Sequence, residues 1–195
     1  MVTYVKKYAN AYTCDKAASC NAGQNLTPCP FTNPQNALGE ADNVYASVSA
    51  YPTCMYLKFA DYVEIPVDAV IDEVWIGVKG YSSKRNGEPL EVWIDVCRNG
   101  VNKRTFNYIF QMPYNVNTWL YWSWTTYGDG GPFLRSDFNA GTPFAVYVRF
   151  ASVSGGGGKN YPRTLYLDSV FLEIGYHVPS GVVSKPLMDS FVLVS

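Results

Sequence analysis

The stretch of the sequence that most resembles a binding site is NPQNALGEADNVYASVS, residues 33–49. It combines the carboxylates Glu40 and Asp42 with three asparagines and a glycine. Carboxylate and amide oxygens gathered on loops are the ligands that Ca²⁺ requires. One hypothesis is therefore a calcium site formed by Glu40, Asp42 and Asp168, with calcium as the only cofactor that the sequence suggests.

A structural role explains the same stretch without a metal. Short polar side chains such as Asn36 and Asp42 hydrogen-bond to nearby backbone groups and hold a loop in one conformation. Ala37 and Tyr45 would then close one end of the fold. No DxDxDG calcium loop is present in the sequence, so this second interpretation is favoured.

Five cysteines offer another possible chemistry, and four of them fall within the first 54 residues: Cys14, Cys20, Cys29 and Cys54. Their spacing lacks the CxxC pairs typical of thiolate zinc sites, and the chain has a single histidine. We expect two disulfides among these four cysteines, with their connectivity left open. Disulfides indicate an oxidising environment, either extracellular or on the surface of a particle.

The sequence gives little support for catalysis. A nucleophile triad needs a general base, and the only histidine, His177, lies at the end of an apolar stretch beside Val178 and Pro179. Carboxylates that could act as a glycosidase pair are scattered, and none is singled out by its neighbours. We therefore expect a protein that is not an enzyme, with a hydrolase kept as a remote alternative.

Aromatic residues make up 16% of the chain and are the strongest functional signal. Tryptophan and tyrosine are enriched at subunit interfaces, and they also stack on sugar rings. The candidates for such an interface or sugar platform are Trp75, Trp93, Trp119, Trp122 and Trp124. The interface interpretation is favoured over the sugar platform.

Charge and hydropathy exclude several kinds of partner. The formal net charge is −1, and the basic residues form no continuous patch of the kind that binds nucleic acid or an anionic membrane surface. No apolar run approaches the ~20 residues needed to span a bilayer. We expect neither a nucleic-acid partner nor a membrane span.

Period-two alternation of apolar and polar residues dominates the chain and predicts β-strands. In residues 70–82, Val70, Val74, Ile76 and Val78 should share one face. In residues 163–178, apolar residues occupy both faces, with Val170, Leu172, Ile174 and Tyr176 on one and Leu165, Leu167 and Phe171 on the other. The pattern predicts about eight to ten strands and an all-β fold, an antiparallel β-sandwich of jelly-roll type.

The predicted organisation has three parts. Residues 1–30 form a cysteine-bearing N-terminal extension, residues 31–178 form the sandwich, and residues 179–195 form a tail after a Pro-Ser-Gly break. The tail ends in Phe191, Val192, Leu193 and Val194. An apolar, β-prone segment of this kind invites pairing with another copy, which makes it a candidate assembly arm. A last strand folded onto its own sheet is the alternative.

The order of these signals resembles a family of jelly-roll-like β-sandwich domains found in phage and archaeal virus structural proteins and in some exported prokaryotic proteins. Three blocks carry the resemblance. They are filled by Phe31, Asn33, Pro34, Asn36, Ala37, Asp42, Tyr45 and Ala46; by Tyr56, Leu57, Val63, Ile65, Pro66, Ala69, Ile71, Val74, Ile76 and Val78; and by Tyr166, Asp168, Val170, Leu172, Ile174 and Tyr176. The first block has Phe31 where the family has tryptophan, the second has Glu73 where it has glycine, and residues 1–30 have no counterpart.

The resemblance implies a non-enzymatic structural subunit of a virus particle, such as a decoration, spike, tail or fibre protein. Its partners would be other copies of itself, neighbouring particle proteins and, in one alternative, surface glycans. Its location would be the virion surface or the extracellular space. The alternatives are an extracellular filament or surface-layer subunit and a carbohydrate-binding module.

Overall fold

The computed structural model describes residues 1–14, 29, 31–49, 53–83, 90–97, 108–126, 131–138, 145–152 and 164–180. These residues form nine strands and two short 3-10 helices. The strands are β1 (Thr3–Thr13), β2 (Ala46–Val48), β3 (Thr53–Phe59), β4 (Val70–Ser82), β5 (Leu90–Cys97), β6 (Tyr108–Met112), β7 (Thr118–Trp124), β8 (Ala145–Ser152) and β9 (Leu165–His177). The 3-10 helices are Pro34–Ala37 and Arg135–Phe138.

The strands pair in the order β6-β5-β8-β3-β1-β9-β4-β7, and every pairing between them is antiparallel. β1 is shared by two sheets. Its first half, from Thr3 to Tyr8, pairs with β9. Its second half, from Ala9 onward, pairs with β3, and this pairing has an irregularity between Ala9 and Ala11. Where β1 leaves β9, β2 takes its place beside the other end of β9.

The two sheets contribute to one hydrophobic core. Met55 and Leu57 of β3 belong to the same buried cluster as Val74 and Ile76 of β4 and Leu172 of β9. Side chains from two sheets that alternate between a shared core and an outer surface define a β-sandwich. The predicted all-β antiparallel sandwich is therefore confirmed, while its jelly-roll type stays a prediction.

Two β-bulges change which residues face the core. At the start of β4, Ile71 pairs with Tyr176 and Glu73 with Gly175, so Asp72 is an extra residue in the strand. An extra residue reverses the alternation. The prediction that Val70 shares the inner face is wrong for this reason, since Val70 is 45% exposed and Ile71 is buried.

The second bulge lies in β9, where Lys79 pairs with Ser169 and Gly80 with Leu167, so that Asp168 is the extra residue. The sequence pattern placed Leu165 and Leu167 on the face opposite to Val170. They instead join the same core cluster as Val170, because the bulge at Asp168 shifts the alternation by one residue.

The N-terminal segment is part of the sandwich. Since β1 pairs with both β9 and β3, the sandwich begins at Thr3 rather than at residue 31. Cys14 follows β1 directly and forms a disulfide with Cys29, with 5.2 Å between their Cα atoms. Cys20 and the side chain of Cys54 lie outside the described residues, so the second predicted disulfide stays a prediction.

The described part of the chain holds no helix of the length and apolar character that a membrane crossing requires.

Candidate functional site

Residues 33–49, the polar stretch that contains Glu40 and Asp42, fill the fork where β1 separates from β9. The backbone N–H of Gly39 donates to the carbonyl of Ala9 on β1, at 2.8 Å. The hydroxyl of Ser169 on β9 donates to the carbonyl of Gly39, at 2.7 Å. Ala37 is completely buried and belongs to the hydrophobic core. The loop therefore covers one end of the outer face of the β1-β9-β4-β7 sheet.

Asp168 fixes this loop to the sheet. Its Oδ1 accepts hydrogen bonds from the backbone N–H groups of Asp42 and Asn43, both at 3.1 Å. Its Oδ2 accepts one from the side-chain amide of Asn117 at 2.6 Å and lies 3.2 Å from the ammonium group of Lys79. We call these five residues the Asp168 junction. The bulge places a buried carboxylate where four donors converge, so its charge is compensated.

The local structural role predicted for Asn36 and Asp42 is confirmed. The Asp42 carboxylate accepts a hydrogen bond from the N–H of Val44, two residues on, at 2.8 Å. The side-chain amide of Asn36 donates to the carbonyl of Tyr45 at 3.2 Å. The described residues contain no group of three or more His, Cys, Asp or Glu side chains that could hold a metal ion. Calcium at Glu40, Asp42 and Asp168 stays a prediction.

The other end of the same outer face is open and concave. A groove of about 420 Å³ is lined by side chains from β1, β4, β7 and β9, namely Tyr4, Lys6, Trp75, Tyr121, Phe171 and Glu173. We call it the outer groove. Strand pairing brings these residues together in adjacent rows, because Lys6 and Trp75 both pair with Glu173, while Gly77 pairs with both Phe171 and Tyr121.

Phe171 forms the floor of the outer groove, and Gly77 makes room for it. A Cβ atom on Gly77 would lie only 2.1 Å from the Phe171 ring, so the ring lies directly over the backbone of β4. Trp119 and Tyr121 contact this ring from β7, with centroid distances of 5.1 and 6.0 Å. Tyr8 packs edge-on from β1 at 5.9 Å. The floor is thus held on several sides by aromatic side chains.

A second glycine shapes the rim. Gly175 lies between Tyr4 and Glu73, and a Cβ there would be 2.9 Å from an atom of each. The Tyr4 hydroxyl reaches across Gly175 and donates a hydrogen bond to the Glu73 carboxylate. This bond raises the pKa of Tyr4, with smaller contributions from desolvation and from the nearby carboxylates. The glycine thereby allows a polar bridge to close one end of the groove.

The remaining polar groups in the outer groove have opposite charges. The Lys6 ammonium lies 3.4 Å from the Glu173 carboxylate and 4.4 Å from the centroid of the Phe171 ring. It therefore makes an ion pair and a cation–π contact at once. Tyr121, which is 52% exposed, stacks on Trp119 at 6.0 Å with 18° between the ring planes. Aromatic faces and one paired set of charges remain accessible to a ligand.

The five tryptophans suggested by the sequence do not share one surface. Trp75 and Trp119 lie on the outer face, in or beside the outer groove. Trp122 and Trp124 follow the alternation of β7 to its opposite side, where Trp124 packs against the core. Trp93 belongs to β5, in the other sheet, and its side chain is outside the described residues.

Other groove residues carried no strong sequence signal. Tyr4 and Lys6 belong to a weakly patterned segment, and Gly77 and Gly175 looked like ordinary strand glycines. The alternation of Tyr4, Lys6 and Tyr8 in β1 was the available clue.

His177 has a partner of its own. Its Nδ1 lies 2.8 and 2.9 Å from the two carboxylate oxygens of Asp72, the extra residue of the β4 bulge. The contact joins the start of β4 to the end of β9. It gives the single histidine a structural role at this end of the sheet.

Comparisons with known proteins give little to add to this geometry. No family model and no curated protein matches the sequence. One solved structure, the tripod from the baseplate of bacteriophage Tuc2009, aligns with 12% identity and a TM-score of 0.27. The alignment covers 92% of this chain and 64% of that chain. A likeness at this level supports no conclusion about the fold or the function.

Proposed function

We propose that this chain is a non-enzymatic structural subunit of a virus particle, of the decoration, spike, tail or fibre type. In this proposal it assembles through β-strand pairing and aromatic contacts with other copies and with neighbouring particle proteins. The observation that carries the proposal is the edge strand β7, and the motif resemblance described above suggests the virus particle as its setting.

β7 ends the strand order and pairs only with β4 among the strands that the structure describes. Its sequence, TWLYWSW, contains neither a charged residue nor a proline, which are the usual devices that stop an edge strand from pairing with another chain. Tyr121 and Trp122 are 52% and 40% exposed and point to opposite sides of the strand. A strand added at this edge would bury aromatic surface on both sides.

We propose that the partner strand comes from the C-terminal tail of another copy. Residues 181–195 lie outside the described part of the chain, and their sequence ends in the apolar segment Phe191, Val192, Leu193 and Val194. Backbone hydrogen bonds would provide affinity, and alternate tail side chains would contact the two faces of β7. An extracellular filament or surface-layer subunit could use the same contact, which makes it the alternative setting.

The first experiment compares the mass and the negative-stain appearance of the full chain with those of a version that ends at Pro179. We expect the full chain to assemble and the shortened chain to remain a monomer. Closed rings would favour a particle subunit, whereas open filaments would favour the filament alternative. A full chain that stays a compact monomer would contradict the proposal.

A pair of lysine variants tests the edge itself. Trp122→Lys places a charge on the β7 edge and should prevent assembly. Val116→Lys adds the same charge on an exposed residue just before β7 and should assemble as the unmodified chain does. Equal assembly of both variants would show that β7 is not the contact.

A further inference from the structure

We propose that the outer groove binds a neutral saccharide through one pyranose ring. This inference goes beyond assembly, because the groove opens on the outer face of the sheet, while strand addition would occur along the backbone edge of β7. Of the described residues that line the groove, Tyr121 alone belongs to β7. The argument rests on the shape of the groove, on its aromatic surfaces and on its balanced charge.

The shape is built rather than incidental. On the outer face of a sheet, every second residue carries a side chain that would fill such a space. Here Gly77 and Gly175 interrupt the rows. The Phe171 ring lies over Gly77 and the Tyr4 ring lies against Gly175, each closer to the backbone than a Cβ atom would allow. The resulting volume of about 420 Å³ falls within the ~300–1,000 Å³ typical of small-molecule sites.

The surfaces suit a ring that is apolar on its face and polar at its edge. A pyranose has this character, since its C–H groups line the ring faces and its hydroxyls project outward. Trp75 and Tyr121 offer aromatic surface from β4 and β7, and Phe171 lies beneath. Rigid aromatic rings provide large contact areas at a small cost in conformational entropy.

The polar groups match hydroxyls better than they match an ionic ligand. Lys6 and Glu173 already compensate each other at 3.4 Å, so the described residues that line the groove carry no net charge. The Glu73 carboxylate at the rim accepts the hydrogen bond from Tyr4. Together Lys6 and Glu173 present ammonium donors and carboxylate acceptors, the pair of functions that vicinal hydroxyls need. A purely apolar ligand would leave both groups desolvated without new hydrogen bonds, which is unfavourable.

The test mixes the full chain with the methyl glycosides of glucose, galactose, mannose, N-acetylglucosamine and rhamnose. Calorimetry and tryptophan fluorescence measure the binding of each glycoside. Cyclohexanol is the matched control ligand, because it has a six-membered ring with a single hydroxyl. We expect saturable binding of at least one glycoside with a dissociation constant on the order of 1 mM, and no saturable binding of cyclohexanol.

Three variants locate the site. Trp75→Leu keeps an apolar side chain but removes the aromatic face, and it should weaken binding by roughly tenfold or more. Trp75→Phe keeps a ring and should retain most of the affinity. Tyr12→Ala changes an exposed tyrosine of β1 that lies outside both the outer groove and the β7 edge, and it should bind as the unmodified chain does.

Several results would overturn the inference. These are the absence of binding for all five glycosides, equal binding of cyclohexanol, or equal weakening by Trp75→Leu and Tyr12→Ala. Particle size measured on the same samples reports on assembly independently of saccharide binding. Failure of the saccharide inference can therefore be told apart from failure of the proposed structural role.

Discussion

The two ends of the outer face of the β1-β9-β4-β7 sheet solve the same problem in different ways. At one end, the loop of residues 33–49 covers the strands, and the buried Asp168 carboxylate meets all its donors within the chain. At the other end, no loop among the described residues covers the strands, and Lys6 and Glu173 form a partly exposed ion pair among aromatic rings. Polar groups at the closed end therefore serve stability, whereas those at the open end are available to a ligand.

The largest expected effect comes from replacing one acidic residue at each end of the outer face with alanine. Asp168→Ala should lower the free energy of unfolding by about 3–5 kcal/mol, because Lys79 and two backbone N–H groups lose their buried partner. Glu173→Ala removes a carboxylate from a partly exposed pair and should cost no more than about 1 kcal/mol. Urea unfolding of both variants measures the difference, and equal losses would contradict the comparison.

The two glycines of the open end should differ in the same assay. Gly77→Ala forces a Cβ against the Phe171 ring, which is packed on several sides, and should cost about 1–3 kcal/mol. Gly175→Ala meets the more exposed side chains of Tyr4 and Glu73 at 2.9 Å, which can move aside. Its loss should therefore be smaller, and a larger loss for Gly175→Ala would show that the rim, rather than the floor, is the rigid part of the groove.

The smallest effect concerns two tyrosines near β9, one inside and one on the open face. Tyr62 is buried and its hydroxyl donates to the carbonyl of Leu172 at 3.0 Å. Burial raises the pKa of Tyr62 well above its usual value. In the unfolded chain the Tyr62 hydroxyl ionises near pH ~10. The stability that Tyr62 provides is therefore present below that pH and is lost as the pH rises through the raised pKa of the folded state.

Replacement by phenylalanine separates these two tyrosines. Tyr62→Phe should cost about 1 kcal/mol at neutral pH through the lost hydrogen bond and should flatten the loss of stability above pH ~10. Tyr4→Phe changes a tyrosine whose pKa is raised mainly by the hydrogen bond to Glu73 and should flatten it less. Unfolding measured between pH 8 and about 11 gives the comparison, and the reverse order would contradict it.

The sequence predicts the strands well where the alternation is uninterrupted. Val74, Ile76 and Val78 are buried as expected, because nothing disturbs the pleat between the two bulges. The pattern fails at Val70, Leu165 and Leu167, since a single extra residue at Asp72 or Asp168 reverses the direction of every side chain beyond it. No local property of an aspartate distinguishes a bulge from a turn, so these reversals could not be read from the sequence.

The candidate site was predictable only in part. Trp75 stood out by type, whereas Phe171 was one of several apolar residues on the second face of the last strand and was not among the site candidates. The rest of the outer groove depends on pairing between β1 and β9, whose partners Lys6 and Glu173 are separated by most of the chain. The register of such a distant pair is set by tertiary structure, which the periodicity of either strand alone does not encode.

The pairing of the first strand with the last has a mechanical consequence. Because β1 and β9 are antiparallel, Thr3 lies beside Tyr176. The chain therefore enters β1 and leaves β9 at the same end of the sheet. A tensile force applied between these two ends acts across the hydrogen-bond ladder, so its bonds break one after another from Thr3 inward. Load that enters through the end of β9 and leaves through a neighbour on β7 would spare this ladder, because β9 is joined to β7 through β4 and not through β1. Attachment at β7 is therefore the more durable way to carry tension through this fold.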